Sequence, residues 1–111
     1  MDDARLLQVD AAQPVALTER RRQLSKVLFG NMDRLEVAVA IAQSEDGVVN
    51  ATDLSVDLAV FNNRVRNQLV VLADAGLLRA VSLPGDRKRW YVRQPSPFWD
   101  ACLDLHDKWG G

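Results

Sequence analysis

The apolar positions of this chain follow two periods, and the change from one to the other marks its elements. From Asn62 to Ala75, Val65, Leu69, Leu72 and Gly76 recur at spacings of four, three and four, which is one face of a helix. Gly76 follows the last turn and suits a left-handed C-cap. Just upstream, Asn50 reads as the N-cap of a helix over 51–59, with Asp53 in the first turn and Leu54 and Leu58 as the inward pair. The Val60–Phe61 link leaves room only for a sharp turn. Downstream the period becomes two. Leu77–Leu83 has strand character, and Pro84-Gly85-Asp86 supplies turn chemistry. Arg89–Arg93 then alternates, with Trp90 and Val92 on one face and Tyr91 and Arg93 on the other. The pattern predicts a helix-turn-helix over about 51–75 and a β-hairpin wing over about 77–93.

The flanking segments are helical. Leu17–Phe29 carries an apolar stripe of Leu17, Leu24, Val27 and Leu28, with Thr18 as its expected cap. Gly30-Asn31 breaks the chain, and Asn31 or Asp33 caps a helix running to about Ser44. Leu35, Ala38, Val39, Ile41 and Ala42 give that helix a face wide enough for a central position in the core. Val48–Val49 reads as a short strand beside the hairpin. Ser96-Pro97 is a helix start, Ser as N-cap and Pro in the first turn, for a helix over about 97–109. Its apolar side gathers Phe98, Cys102 and Leu105, with Trp99, Leu103 and Trp109 adjoining. Residues 1–16 are acidic, contain Pro14 and show no sustained period. They read as a mobile tail, with Ala4–Val9 as a short helical piece. The expected fold is mainly α with a small β-hairpin wing, a winged helix-turn-helix in one domain over 17–111.

Charge sharpens this picture. The net charge is −1, which by itself argues against a nucleic-acid partner. Its distribution argues for one: residues 60–93 carry seven Lys or Arg against two Asp or Glu, while 1–59 carry six against ten. A concentrated basic patch matters more for duplex binding than the total does. On the polar side of the 62–75 helix lie Asn62, Asn63, Arg64, Arg66, Asn67 and Gln68. Asn and Gln can bond bidentately to adenine, and Arg to guanine, in the major groove. Arg87, Lys88 and Arg89 form a basic hairpin tip suited to phosphates or the minor groove, and Arg79 and Arg93 extend the positive surface.

Two stretches carry a family resemblance. Asn67 to Leu78 (NQLVVLADAGLL) resembles the recognition helix and following "AGL" of bacterial repressors of the ArsR type, and more loosely of the MarR type. Leu28 to Leu35 (LFGNMDRL) resembles the N-terminal "LGDPTRL" signature of the ArsR family. The resemblance covers residues 17–109. It implies a homodimeric transcriptional regulator, most often a repressor, that binds a palindromic operator in double-stranded DNA. It also implies a dimer interface built from the first and last helices, here Leu17, Leu24, Leu28, Phe98, Trp99, Cys102, Leu105 and Trp109. The alternative reading of the last helix is that its apolar face packs on its own domain. Two positions depart from the family pattern. Phe61 stands where a small N-cap residue is usual, and Val70 where Lys or another polar residue is common. Val70 points outward by periodicity, to a thymine methyl or to a protein partner. The second reading of the whole chain is therefore a winged-helix module that binds protein rather than specific DNA.

Other chemistry finds little purchase. The single Cys102 excludes an intrachain disulfide and fits a reducing cytoplasm. Asp104-Leu105-His106 resembles the start of a family zinc motif, but no second histidine follows, so no metal and no cofactor is expected. No nucleophile–base pair and no glycine-rich phosphate loop is visible, so no enzymatic activity is expected. The longest apolar run, Val37–Ala42, is far short of a membrane span, and the N-terminal residues show no basic-then-apolar leader. An effector is not legible.

Overall fold

The computed structural model describes residues 14–109, with side chains from Glu19 to Lys108. In chain order the elements are α1 (Pro14–Phe29), α2 (Arg34–Gln43), β1 (Val48–Asn50), α3 (Ala51–Leu58), α4 (Asn62–Asp74), β2 (Leu78–Ser82), β3 (Arg89–Arg93) and α5 (Pro97–Trp109). The strands form one antiparallel sheet in the order β1-β3-β2, with Val49 opposite Tyr91 and Ala80 opposite Tyr91 on the other side. The expected winged helix-turn-helix is the observed architecture, and Val48–Val49 is indeed part of a third strand.

The core gathers on α2, where Leu35, Val37, Ala38, Val39 and Ile41 are all buried. Val65, Leu69 and Leu72 of α4, Leu54 of α3, Leu78 and Tyr91 of the sheet, and Trp99 and Cys102 of α5 close around it. Trp99 also donates its Nε1–H to the carbonyl of Gln94 at 2.8 Å, so the indole is buried without an orphaned donor. Ser25 on α1 is wholly buried, accepting from the Leu35 amide at 2.9 Å and donating to the Asn31 carbonyl. That hydroxyl fixes the α1–α2 corner.

The helix ends follow the local chemistry. Asn50 caps α3 by accepting from the Asp53 amide at 2.9 Å, and it donates to the Asp53 carboxylate at 2.8 Å. Asn31, not Asp33, provides the side-chain acceptor before α2, taking the Asp33 amide at 2.8 Å. Ser96 takes the Phe98 amide at 3.1 Å. Gly76, at φ +81°, ends α4 in a Schellman motif: Leu77 N–H bonds the Leu72 carbonyl and Gly76 N–H the Ala73 carbonyl. The beginning of α1 differs from expectation. Pro14 to Ala16 are already helical, so Thr18 lies inside the helix and does not cap it. Proline is tolerated in a first turn because its missing N–H would have no partner there. The tail before Pro14 lies outside the described residues.

One turn is made by an unusual residue. Ala59, which closes α3, sits at φ 54°, ψ 42°, the left-handed region that a Cβ disfavours by about 1–2 kcal/mol. Burial of Val60 and the bond from Ser55 Oγ to the Val60 carbonyl hold the chain in this turn. Ala59→Gly is therefore expected to stabilise the fold. The relieved strain exceeds glycine's extra freedom in the unfolded chain, leaving a net gain of about 0.5–1 kcal/mol. Urea denaturation would measure it, and a lower midpoint would show that the turn carries no strain.

Candidate nucleic-acid interface

Helix α4 presents two chemically distinct faces. Val65, Gln68, Leu69 and Leu72 are buried, while Asn63, Arg66, Asn67 and Val70 are exposed. Asn62 stands at the margin, half-buried, with its Oδ1 accepting from Arg66 Nη2 at 3.0 Å and its Nδ2 directed to Thr52 Oγ1 at 3.5 Å. Asn63, Arg66 and Asn67 are thus placed to meet a surface outside the domain.

Two of the expected base readers are placed otherwise. Gln68 is only 3% exposed, and its Oε1 accepts from Arg34 Nε at 3.0 Å. Arg34 in turn donates to the Phe29 carbonyl at 2.9 Å, so Gln68 ties α4 to the α1–α2 corner. The helical period could have revealed this, because position 68 falls on the face of 65, 69 and 72. Arg64 is held by Asp33: its Nε lies 3.0 Å from Oδ2 and its Nη2 2.5 Å from Oδ1. Asp33 is itself buried, and Arg22 lies 3.9 Å from the same carboxylate. The bidentate bond to Asp33 raises the Arg64 pKa further above its ordinary value.

The wing lies beside α4. At its tip, Asp86 accepts from the Lys88 amide at 2.8 Å and from Trp90 Nε1 at 2.9 Å. These bonds hold the exposed Asp86 carboxyl below the usual range. They also fix the directions in which the exposed Arg87, Lys88 and Arg89 leave the loop. Lys88 Nζ is 3.9 Å from Asp53 Oδ1 on α3 and 6.0 Å from the Trp90 ring, which ties the tip to the helix-turn-helix. Between tip and helix runs an open groove of about 650 Å³, lined by Asn62, Arg66 and Val70 on one side and Arg87, Lys88 and Arg89 on the other. Arg93 takes no part in it. Its Nη1 donates to the carbonyls of Ile41, Ala42 and Ser44 at 2.7–3.1 Å and so caps the C-terminus of α2. Gly47 allows the approach, since a Cβ there would meet the Arg93 Cβ at 3.0 Å. Arg79 is exposed on β2.

Those residues expected at a dimer interface whose side chains are described divide into three groups. Trp99 and Cys102 are core residues of this chain, because α5 packs its broad apolar side on α2. Burial pushes the Cys102 thiol up to about 11, so it stays protonated at neutral pH. Leu24, Phe98 and Leu105 are partly buried against the same core, with the Phe98 ring edge-on to Phe29 at 6.2 Å. Leu28 is 51% exposed and its neighbour Val27 79%. The side chains of Leu17 and Trp109 lie outside the described residues. Among the described residues no three His, Cys, Asp or Glu are grouped to hold a metal, and no helix is long and apolar enough to cross a membrane.

No family model matches the sequence, and no curated protein does. Solved structures do. Sco3205 of Streptomyces coelicolor, a MarR family transcriptional regulator in complex with DNA, is 14% identical at a TM-score of 0.63, over 97% of this chain and 68% of that one. The fold is that of the MarR regulators. Wild-type MarR of E. coli aligns at a TM-score of 0.61 and 16% identity, over 94% of this chain and 73% of that one. The antimony-specific transcriptional repressor AntR is 28% identical at a TM-score of 0.57, over 90% of this chain and 78% of that one. The looser of the two family resemblances, to the MarR type, is thus the one that these structures support.

Two stability outcomes test the placement of the charges. Arg64→Ala strands the buried Asp33 carboxylate and is expected to cost about 1–3 kcal/mol, whereas Asn67→Ala, on the outward face, should stay within about 0.5 kcal/mol of wild type. Denaturant midpoints of the two variants would check this, and equal midpoints would remove Arg64 from the scaffold. Glu36 supplies the pH test. Its Oε1 is buried without a hydrogen-bond partner among the described residues, and burial raises its pKa against the opposing pull of Arg21 and Arg22. An acid whose folded pKa is raised binds its proton more tightly when folded, so it loses stability as pH rises through that pKa. Glu36→Gln should therefore be more stable than wild type at neutral pH, with the gap closing as the pH falls into the ordinary carboxylate range. A gap that does not change with pH would contradict the assignment.

Proposed function

We propose that this chain is a sequence-specific DNA-binding transcriptional regulator, a repressor that binds a palindromic operator as a homodimer. The observation that carries the reading is the shared groove of α4 and the wing, in which exposed Arg66 faces Arg87, Lys88 and Arg89 while Asn63 and Asn67 project beyond it. A helix presenting amides and a guanidinium outward, with a cationic hairpin beside it, matches the division of labour on duplex DNA. Phosphate contacts position, and base-edge contacts specify. The fold supports the same reading, since a neighbour of that fold was solved on DNA. In this reading Asn63, Arg66 and Asn67 read bases, Asn62 orients Arg66, and Arg87, Lys88 and Arg89 hold the backbone. The exposed Val27 and Leu28 of α1 supply apolar surface for a two-fold partner. A two-fold axis would set the recognition helices about 34–36 Å apart, one turn of DNA.

The exposure of Val70, at 43%, favours a second reading, a protein-binding face on the same helix. The two separate experimentally. Selection from a randomised duplex pool, followed by anisotropy titration, should recover a palindrome with half-sites one turn apart. On that site Asn67→Ala should cost roughly 1–3 kcal/mol and cost less on scrambled DNA. Val70→Lys should be tolerated or helpful next to phosphates. Weak binding without any enriched sequence would overturn the regulator reading and leave the protein-binding one.

A further inference from the structure

The recognition helix has a second basic concavity on its other flank. It holds about 420 Å³ between the last turns of α1, the α1–α2 link and the first turn of α4, and is lined by Arg22, Lys26, Asn31, Asp33 and Arg64 among others. Arg64 and Arg66 are two residues apart, roughly 200° around the helix. They therefore leave opposite flanks, Arg66 toward the wing and Arg64 toward this corner, with Asn63 and Asn67 between them. A helix in the major groove, about 12 Å wide, has a phosphate backbone on each side. The wing serves one side only.

We propose that the corner formed by Arg22, Lys26 and Arg64 is a second phosphate-binding surface, which grips the DNA strand on the side of the recognition helix opposite the wing. It rests on the DNA-binding reading and adds residues to it that lie outside the helix-turn-helix and the wing. Three cations meet there. Two acidic groups lie near them: Asp33 lines the concavity but is buried and bonded to Arg64, and Glu36 is half-buried and not part of its lining. Asp33 engages the Nε and Nη2 of Arg64 and so leaves the Nη1 edge of the guanidinium for another acceptor. A cation held in this way has already given up its rotamer freedom, which lowers the cost of binding. Lys26 is exposed, and its ammonium has no partner among the described residues. The ligand is a phosphodiester backbone, and the interaction carries no sequence information.

Lys26→Ala gives the test, because it removes a charge without removing a bond of the folded chain. Affinity of the full chain would be measured by anisotropy over a range of salt, on the selected operator and on a scrambled duplex of equal length. The slope of log K against log salt should fall by about 0.9 for each phosphate that the variant no longer neutralises, equally on both duplexes, with the ratio of the two affinities unchanged. Lys26→Arg should keep the wild-type slope. Arg87→Ala in the wing should lower the slope independently, and the two decreases should add in the double variant. A slope unaltered by Lys26→Ala while Arg87→Ala lowers it would overturn the second surface and leave the DNA-binding reading standing. Wild-type protein that binds neither duplex would overturn both.

Discussion

The outward face of α4 depends on how the back of the helix is held. Val65, Leu69 and Leu72 supply the apolar seat, but an apolar seat alone resists sliding and rotation poorly. Two polar ties complete it. Gln68 bonds Arg34 across 34 residues of sequence, and Arg64 bonds Asp33 across 31. Burying such groups is costly unless both partners are satisfied, and their net contribution to stability is correspondingly modest. What they add is orientation. Each tie is geometric, and each ends at the α1–α2 corner that Ser25 and Asn31 pin together. The outward direction of Asn63, Arg66 and Asn67 is thereby set by the same corner that ends α1.

The wing is held by an equivalent economy of bonds. Asp86 closes the tip through one backbone amide and one indole N–H, and Lys88 reaches back to the first turn of α3. Since β3 is the central strand, paired to β1 on one side and β2 on the other, the hairpin cannot shift without carrying β1 and the cap of α3 with it. Asn50 belongs to both, ending β1 and capping α3. Wing and helix-turn-helix therefore share one frame, so that the groove between them has defined walls.

Most of this fold was legible in the sequence, because it is carried by periodicity and by end signals that act locally. Asn50, Gly76 and Ser96-Pro97 mark boundaries through bonds to residues a few positions away, and the switch from a period near 3.6 to a period of two separates α4 from the hairpin. The site was legible only in part, and its failures share a cause. Gln68, Arg64 and Arg93 are polar residues whose partners lie far along the chain. Their chemistry suits a ligand as well as it suits a buried carboxylate or a helix terminus. For Gln68 the position on the 65–69–72 face outweighed its polarity. For Arg64 and Arg93 no local pattern names the partner. Trp99 and Cys102 failed differently: an apolar face on a terminal helix requires cover, but periodicity does not say whether a neighbouring helix or a second copy supplies it.

Those placements change how the charge of the chain is to be counted. The excess of cations over 60–93 suggested a basic face, yet Arg64 is engaged by Asp33 and Arg93 by the end of α2. The charge left toward solvent there is that of Arg66, Arg79, Arg87, Lys88 and Arg89. Outside that segment, exposed Lys26 lies in an otherwise acidic half and lines a concavity with Arg64. Local composition therefore overstated the cationic supply in one stretch and missed it in another. Phosphate neutralisation depends on cations that keep a donor open and within reach, and both conditions are properties of the folded surface. A chain with a net charge of −1 can present such a surface because charge is distributed by the fold: Asp33 is buried against Arg64 and Glu36 is half-buried, while Arg66, Arg87, Lys88 and Arg89 stay exposed.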